Sequence, residues 1–387
     1  MNIKTAERIK TVKEYYFSKK LREIDELNKQ GKDIINLGIG SPDLSPDNSV
    51  IEKLIESAKN PNNHAYQSYK GALELRKAIA NWQKTIYGVN LDAVTEILPL
   101  IGSKEGIMHI SMTYLNPGDE VLIPDPGYPT YSSAANLAGG KIVKYQLKEE
   151  DNWHPSIEYI QSLINKKTKL IWINYPHMPT GTATNLDKLK ALLTLAKEKN
   201  ILVCNDNPYS LTLNDHPTSI FQIEGAKDVA LELNSLSKSH SMAGWRLGWI
   251  SGKSERIDEI LKFKSNMDSG MFLPIQHAAI QALSLDRSYH NEINKVYAER
   301  RTLAWKLLDI LNCTYNKNQV GMFVWAKIPN EAKNANSFAD NILYNASVFI
   351  TPGIIFGESG KQYIRISLCT KETIFEEAIN RIKAIKK

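Results

Sequence analysis

The sequence predicts an α/β protein: a large domain with a seven-stranded, mostly parallel sheet, plus a smaller α+β domain formed by both chain ends. Three observations predict it. From Glu96 onward, seven short apolar runs alternate with segments of helical periodicity, the pattern of buried strands under covering helices. Towards both chain ends, helical spacing is broken by glycine-punctuated apolar runs, which suits a separate mixed layer. A chain of 387 residues with 42% hydrophobic and 23% charged content also buries a core large enough for about two or three domains. The expected division is an N-terminal arm with part of the small domain at 1–45, a large domain at 46–280, and a linker helix with the C-terminal small domain at 281–387.

Composition narrows the function classes. The net charge of +6 is mild and the lysines are spread along the chain, which argues against a nucleic-acid footprint. Cys204, Cys313 and Cys369 are widely separated and lack metal-ligand spacing, so reduced thiols of a cytoplasmic protein are expected, with no metal. The N-terminal stretch is charged throughout and no segment is apolar for long enough to span a bilayer, so neither secretion nor membrane insertion is expected.

In chain order, Thr5 to Asn28 has helical spacing and Gly31 stops it. I-I-N-L-G-I-G-S-P-D-L is a short strand running into Gly40, where the backbone either approaches something closely or simply turns. Helical spacing resumes from Ser49 to Ala58, and H-A-Y-Q-S-Y-K-G sets Tyr66 just ahead of another helix. The seven strand runs are I-L-P-L-I, E-V-L-I-P, I-V-K-Y-Q-L, L-I-W-I-N-Y, I-L-V-C-N-D, V-A-L-E-L and L-G-W-I-S. In such sheets ligands gather beyond the carboxyl ends of the strands, which makes the residues after each run the candidates.

After the first run, G-S-K-E-G (Gly102, Ser103, Lys104) opens a helix whose amides suit an anion or need only a capping serine. After the second, P-D-P-G-Y-P-T-Y sets Tyr128 on a stiff loop, where its ring either stacks on a heterocycle or lies on the surface. The fourth run leads into P-H-M-P-T-G, a tight turn. The fifth ends in Asp206, followed three residues later by Tyr209. A carboxylate at the end of a buried strand needs a partner, and a protonated ring nitrogen is one.

The sixth run leads into S-L-S-K-S, with R-L-G-W beyond it. A lysine desolvated beside an apolar strand tends to lose its proton and become a nucleophile. Ser235, Ser237 and Arg246 around Lys238 offer donors and a fixed positive fork to a phosphate dianion. Amine and phosphate cradle together suggest pyridoxal 5'-phosphate held as a Schiff base. Alone, S-x-S-K also fits a solvated loop.

Further on, helical periodicity from Ile275 to Asn312 connects to a strand in G-M-F-V-W-A-K-I-P and to T-P-G-I-I-F-G-E-S-G-K-Q-Y-I-R-I-S, a glycine-rich loop entering another strand. Arg365 lies within that strand, where an arginine in apolar company needs a carboxylate, from the protein or from a ligand.

Taken in order, G-S-K, P-x-x-Y-P-x-Y, P-T-G, D-x-x-Y, S-x-S-K, R-L-G-W and R-I-S resemble the class I and II aminotransferases of fold-type I, from about Asn36 to Leu368. The resemblance implies a ping-pong transfer of an amino group from an L-amino acid to a 2-oxo acid. Lys238 then carries the Schiff base and the proton. Ser103, Lys104, Ser235, Ser237 and Arg246, with Gly102, fall at phosphate positions, Tyr128 at the stacking ring, Asp206 at the pyridine nitrogen and Tyr209 at the phenolic oxygen. Tyr66 matches a tyrosine that reaches the phosphate of a neighbouring subunit, which implies a homodimer with shared sites. Arg365 matches the holder of the substrate α-carboxylate, with the Gly40 backbone close by.

One residue departs from the pattern: Met178 stands where the family usually has asparagine before P-T-G. With a thioether there, Tyr209 alone is expected to hold the phenolic oxygen. The opening K-E-Y-Y-F-S-K-K and the phrase G-K-D-I-I-N-L-G-I-G-S-P-D-L are similar to the LL-diaminopimelate aminotransferase branch, in which Tyr15 would contact substrate. Ser269 departs from that branch, so aspartate, alanine, methionine and aromatic donors stay open. A carbon–sulfur β-lyase on the same fold is the alternative activity, and a non-catalytic binding module would bring a DNA-binding domain that residues 1–40 are too short to hold.

Overall fold

A computed structural model of the chain describes residues 3–385. The helix expected from Thr5 to Asn28 is interrupted: α1 is Glu7–Lys10 and α2 is Tyr16–Lys29. Between them Tyr15 is extended, at φ −60° and ψ 125°, and its ring packs on Phe17 with centroids 5.6 Å apart. Periodicity does not register the pull of an aromatic ring towards the interior. After β1 (Ile35–Asn36) come α3 (Asn48–Lys59), capped by Asp47, which accepts from Ser49 N at 2.8 Å, and α4 (Leu73–Tyr87), ended by Gly88 at φ +69°.

The seven predicted runs form one sheet: β2 (Ile97–Leu100), β3 (Glu120–Asp125), β4 (Lys141–Gln146), β5 (Thr168–Ile173), β6 (Leu202–Asp206), β7 (Ala230–Ser235) and β8 (Gly248–Gly252). Their order is β2-β8-β7-β6-β5-β3-β4. Strands β3 to β7 are mutually parallel, and β8 is antiparallel to both of its neighbours. The helices between them are α5 (Ser103–Tyr114), α6 (Pro129–Leu137), α7 (Ile157–Leu163), α8 (Leu186–Lys199) and the single turn α9 (Leu236–Ser239), with α10 (Ser254–Lys264) after β8. Ile107 and Ile110 of α5 and Ile257 and Ile260 of α10 pack with Leu170 and Leu231. Leu189 and Leu192 of α8 pack with Ile171 and Val203. Adjacent strand residues thus face opposite layers, which explains why these strands read as continuous apolar runs.

This topology makes one rim of the sheet chemically rich. Asp125, Asp206 and Ser235 are the last residues of parallel strands, and β8, running the other way, brings its start to the same rim, with Arg246 just before it.

The helix expected from Ile275 to Asn312 is two helices, α11 (Leu273–Leu283) and α12 (Arg287–Ile310). Asp286 caps the second, accepting from Ser288 N at 2.8 Å, so S-L-D-R-S was a stop-and-start signal inside the periodic run. Beyond it lie β9 (Thr314–Tyr315), β10 (Phe323–Lys327), α13 (Ala335–Ala346), β11 (Val348–Phe349), β12 (Thr351–Pro352), β13 (Tyr363–Ser367) and α14 (Glu372–Ile385). An antiparallel sheet runs in the order β12-β13-β10-β9, while β1 pairs with β11 in parallel. The two chain ends therefore meet. Arg300 of α12 is buried between Asp43 at 2.6 Å and Glu372 at 2.8 Å, and ties them together. No helix among the described residues is long and apolar enough to cross a membrane.

Candidate active site

Ser235 caps α9 by accepting from Ser237 N at 3.1 Å, and that single turn delivers Lys238 to a cavity of 410 Å³. Lys238 shares the lining with Asp206, Tyr209, Tyr128, Arg365 and Tyr15. Its Nζ donates to the carbonyl of Gly40. Burial lowers the lysine pKa from its ordinary value, and the positive charges of Arg365 and Arg246 add to that, which favours the neutral amine.

The serines, Arg246 and the start of α5 gather at one end. Ser235 Oγ donates to Ser237 Oγ at 2.9 Å, and Arg246 Nη1 donates to Ala243 O at 2.8 Å and lies 3.4 Å from Ser237 Oγ. Gly102, at φ +85°, is required here: a Cβ would fall 2.2 Å from Arg246 Nη2. Ser103 opens α5 beside it and lines the cavity. Hydroxyls, a fixed guanidinium and a helix N-terminus form a site for a phosphate dianion. The ammonium of Lys104 lies 5.0 Å from the centre of the Tyr15 ring, so its charge stands on the Tyr15 side of the cavity.

Asp206 is buried in the cavity wall. Its Oδ2 accepts from Tyr131 OH at 2.9 Å, and its Oδ1 has no hydrogen-bond partner among the described residues. Burial pushes its pKa up to about 7, against the lowering by the tyrosine hydroxyl. Tyr131 escapes a sequence reading that stops at Tyr128. The signal was the second tyrosine of G-Y-P-T-Y, which falls in the first turn of α6, where it stacks on Trp172 at 5.0 Å and reaches back to the strand end. Tyr209 is half-buried, edge-on to Phe323, with centroids 5.8 Å apart.

Arg365 is buried in β13, opposite Trp325 and Thr351. The rings of Phe323, Phe356 and Phe17 surround its guanidinium at 4.0, 4.7 and 5.5 Å. Its protein partners are a carbonyl and a thioether: Nη2 donates to Gly38 O at 2.7 Å and Nη1 lies 3.3 Å from Met178 Sδ. Nε has no hydrogen-bond partner among the described residues, and burial pushes the guanidinium pKa down to about 10. A buried cation with no carboxylate partner among the described residues suits a carboxylate ligand.

Three positions gain detail. Gly40 serves Lys238, and it is Gly38 whose backbone meets Arg365. A Cβ at Gly40 would fall 2.3 Å from Phe323 Cζ, which is why the backbone lies so close. Tyr66 is 91% exposed and outside the cavity of its own chain. Beside Met178, Asn174 lines the cavity, but its Nδ2 donates to Asp206 O and its Oδ1 accepts from Met178 N at 2.8 Å. His177 pairs through Nδ1 with Thr180 Oγ1 at 2.8 Å and does not line the cavity.

These residues fit a phosphorylated pyridine aldehyde: a buried carboxylate oxygen lacks a partner among the described residues, glycine admits a guanidinium beside a helix start, and an amine shares the cavity with both. The sequence matches the family described as aminotransferase class I and II over residues 32–382. It is 40% identical to the LL-diaminopimelate aminotransferase of Halothermothrix orenii over 383 residues, 98% of each chain. It is 41% identical to the enzyme of that name from Aquifex aeolicus, over 98% of this chain and 99% of the other. The fold superposes on apo-BacF from Bacillus subtilis with a TM-score of 0.95 at 35% identity, covering 100% of this chain and 99% of that one. A likeness that runs the length of the chain, around a lysine placed as this chemistry needs it, shows that the protein belongs to the class I and II aminotransferases, which depend on pyridoxal phosphate.

Proposed function

We propose that the amino donor is LL-diaminopimelate, that the acceptor is a 2-oxo acid, and that two copies of the chain complete each other's sites. The reading of the donor is supported by relatives of that name at about 40% identity over almost the whole chain, and by Tyr15 in the cavity lining. The observation that carries the reading of the site is Arg365, a buried guanidinium without a protein carboxylate, in the same cavity as Lys238.

Pyridoxal phosphate, when bound, supplies an aldehyde that condenses with amines and a ring that accepts the electron pair released at the substrate α-carbon. Ser103, Ser235, Ser237, Arg246 and the amide end at Gly102 would hold its phosphate, Tyr128 its face, Tyr209 its phenolic oxygen and Asp206 its ring nitrogen. Arg365 binds the substrate α-carboxylate and so sets the orientation of the α-carbon. Lys238 Nζ, whose pKa burial lowers, takes the α-proton and returns it.

Tyr66, Met267 and Phe272 are exposed at 91%, 51% and 44%, and the ring of His64, two residues before Tyr66, packs against Phe272 at 5.8 Å, which supports a second copy covering this surface. The walls at Phe17, Leu21 and Ile39 favour a second reading, an apolar or aromatic donor. The carbon–sulfur lyase reading is not favoured, since the relatives are named aminotransferases. The deciding experiment is a panel of donors against 2-oxoglutarate and pyruvate, followed by the spectral change of the cofactor. A kcat/KM for LL-diaminopimelate below that for aromatic donors would replace the first reading by the second.

A further inference from the structure

Asp125, at the end of β3, joins the loop that carries Tyr128 to the loop that carries Phe356. Its carboxylate is 3% exposed and does not line the cavity. Oδ1 accepts from Ser359 N at 3.0 Å and Oδ2 from Glu358 N at 3.2 Å, with Lys144 Nζ 3.5 Å from Oδ2. Two residues on, Gly127 N donates to Phe356 O at 2.8 Å. Gly357, at φ +141°, closes the joint, since a Cβ there would fall 2.1 Å from Asp125 Oδ1. Phe356 is therefore gripped through its own carbonyl and through the residues that follow it.

The grip matters because of what surrounds Arg365. Its two polar partners are uncharged, and the rest of its shell is aromatic. A guanidinium held largely by ring faces is only as fixed as the rings. Phe323 stands on β10 and Phe17 on α2, both regular elements. Phe356 ends a short 3₁₀ turn and has no ladder of its own, so its position depends on external bonds.

We propose that Asp125 is a positioning residue for the substrate carboxylate: by tying down Glu358 and Ser359 it seats Phe356 on Arg365 and holds the guanidinium towards the cavity. The inference rests on the reading of Arg365 as the carboxylate receptor. It assigns Asp125 no part in holding the cofactor.

The test uses the holoenzyme and the variants Asp125→Ala, Asp125→Asn, Phe356→Leu and Arg365→Lys. Measured are KM and kcat for an active amino-acid donor, KM for its 2-oxo acid, the cofactor Kd, and the rate at which the donor's amide, which lacks a carboxylate, changes the cofactor spectrum. Asp125→Ala should raise both KM values about tenfold or more, with the cofactor Kd and the amide rate within about twofold of the wild type. Asp125→Asn should recover part of the loss, and Phe356→Leu should share it without disturbing β3. If Asp125→Ala does not fold, the Asn and Leu variants decide. Unchanged KM values, or equal losses with the amide, overturn the inference. If Arg365→Lys leaves KM unchanged, the underlying reading fails with it. If Arg365→Lys raises KM and the Asp125 and Phe356 variants do not, only this inference fails.

Discussion

The hydroxyl of Tyr131 lies 2.9 Å from the carboxylate of Asp206, and both residues are buried at the sheet rim. A hydrogen bond to a charged acceptor is worth about 1.5–3 kcal/mol. Tyr131→Phe removes it and makes ionisation of Asp206 harder. Cofactor affinity at pH 7 is expected to fall roughly tenfold, and the pH at which it reaches its full value to move upward. Titration of cofactor into the apoenzyme at several pH values measures both, and an unchanged Kd across the series would show that the hydroxyl does not act on Asp206.

Lys238→Ala should abolish turnover and the absorbance band of the lysine Schiff base, because among the described residues Lys104, on the Tyr15 side, is the one other lysine that lines the cavity. Retention of both properties would refute the assignment of the amine.

Without cofactor, Asp206 makes the fold sensitive to pH. Its pKa is raised from 3.8 to about 7, so between those values the folded chain keeps a proton that the unfolded chain has released. Stability therefore falls as pH rises through this window, by up to ~4 kcal/mol at its top. His154 and His290, pushed down by burial to about 4, and His177, to about 3, act in the opposite sense, since the unfolded chain binds their protons below about pH 6.5. The difference between apo Asp206→Asn and apo wild type isolates the carboxylate. The variant's relative Tm should climb between pH 4 and 7, and parallel profiles would contradict the sign.

Met178→Asn should lower the pH midpoint of the bound cofactor's absorbance change by roughly half a unit or more, because an amide brings a second donor to the phenolic oxygen held by Tyr209. Asn174 cannot mask the effect while its amide is engaged by Asp206 O and Met178 N. An unmoved midpoint would mean that the thioether position does not govern the oxygen's charge.

Much of the fold was legible because its signals are local. Seven apolar runs became seven strands, and those buried on both faces, unlike the partly exposed edge strand β4, have no alternation to misread. The two helix errors share a cause. At Tyr15 and at Asp286 the periodicity continues while the backbone does not, once for a buried ring and once for a cap. Residues that lie just beyond strand ends, such as Asp206 and Lys238, were found because topology fixes the rim. Tyr131 and Asp125 were not, because each acts through a partner distant in sequence: Trp172 and Asp206 for one, Glu358 and Ser359 for the other.

The reversed direction of β8 makes a ruler of the turn before it. Both ends of the segment from Ser235 to Gly248 are pinned by the β7–β8 register, so the amine at 238 and the guanidinium at 246 are separated by a length the chain is not free to change. An insertion in this turn would shift one relative to the other, and a loop that looks tolerant by its exposed Gly244 should be among the least permissive in the molecule to added residues.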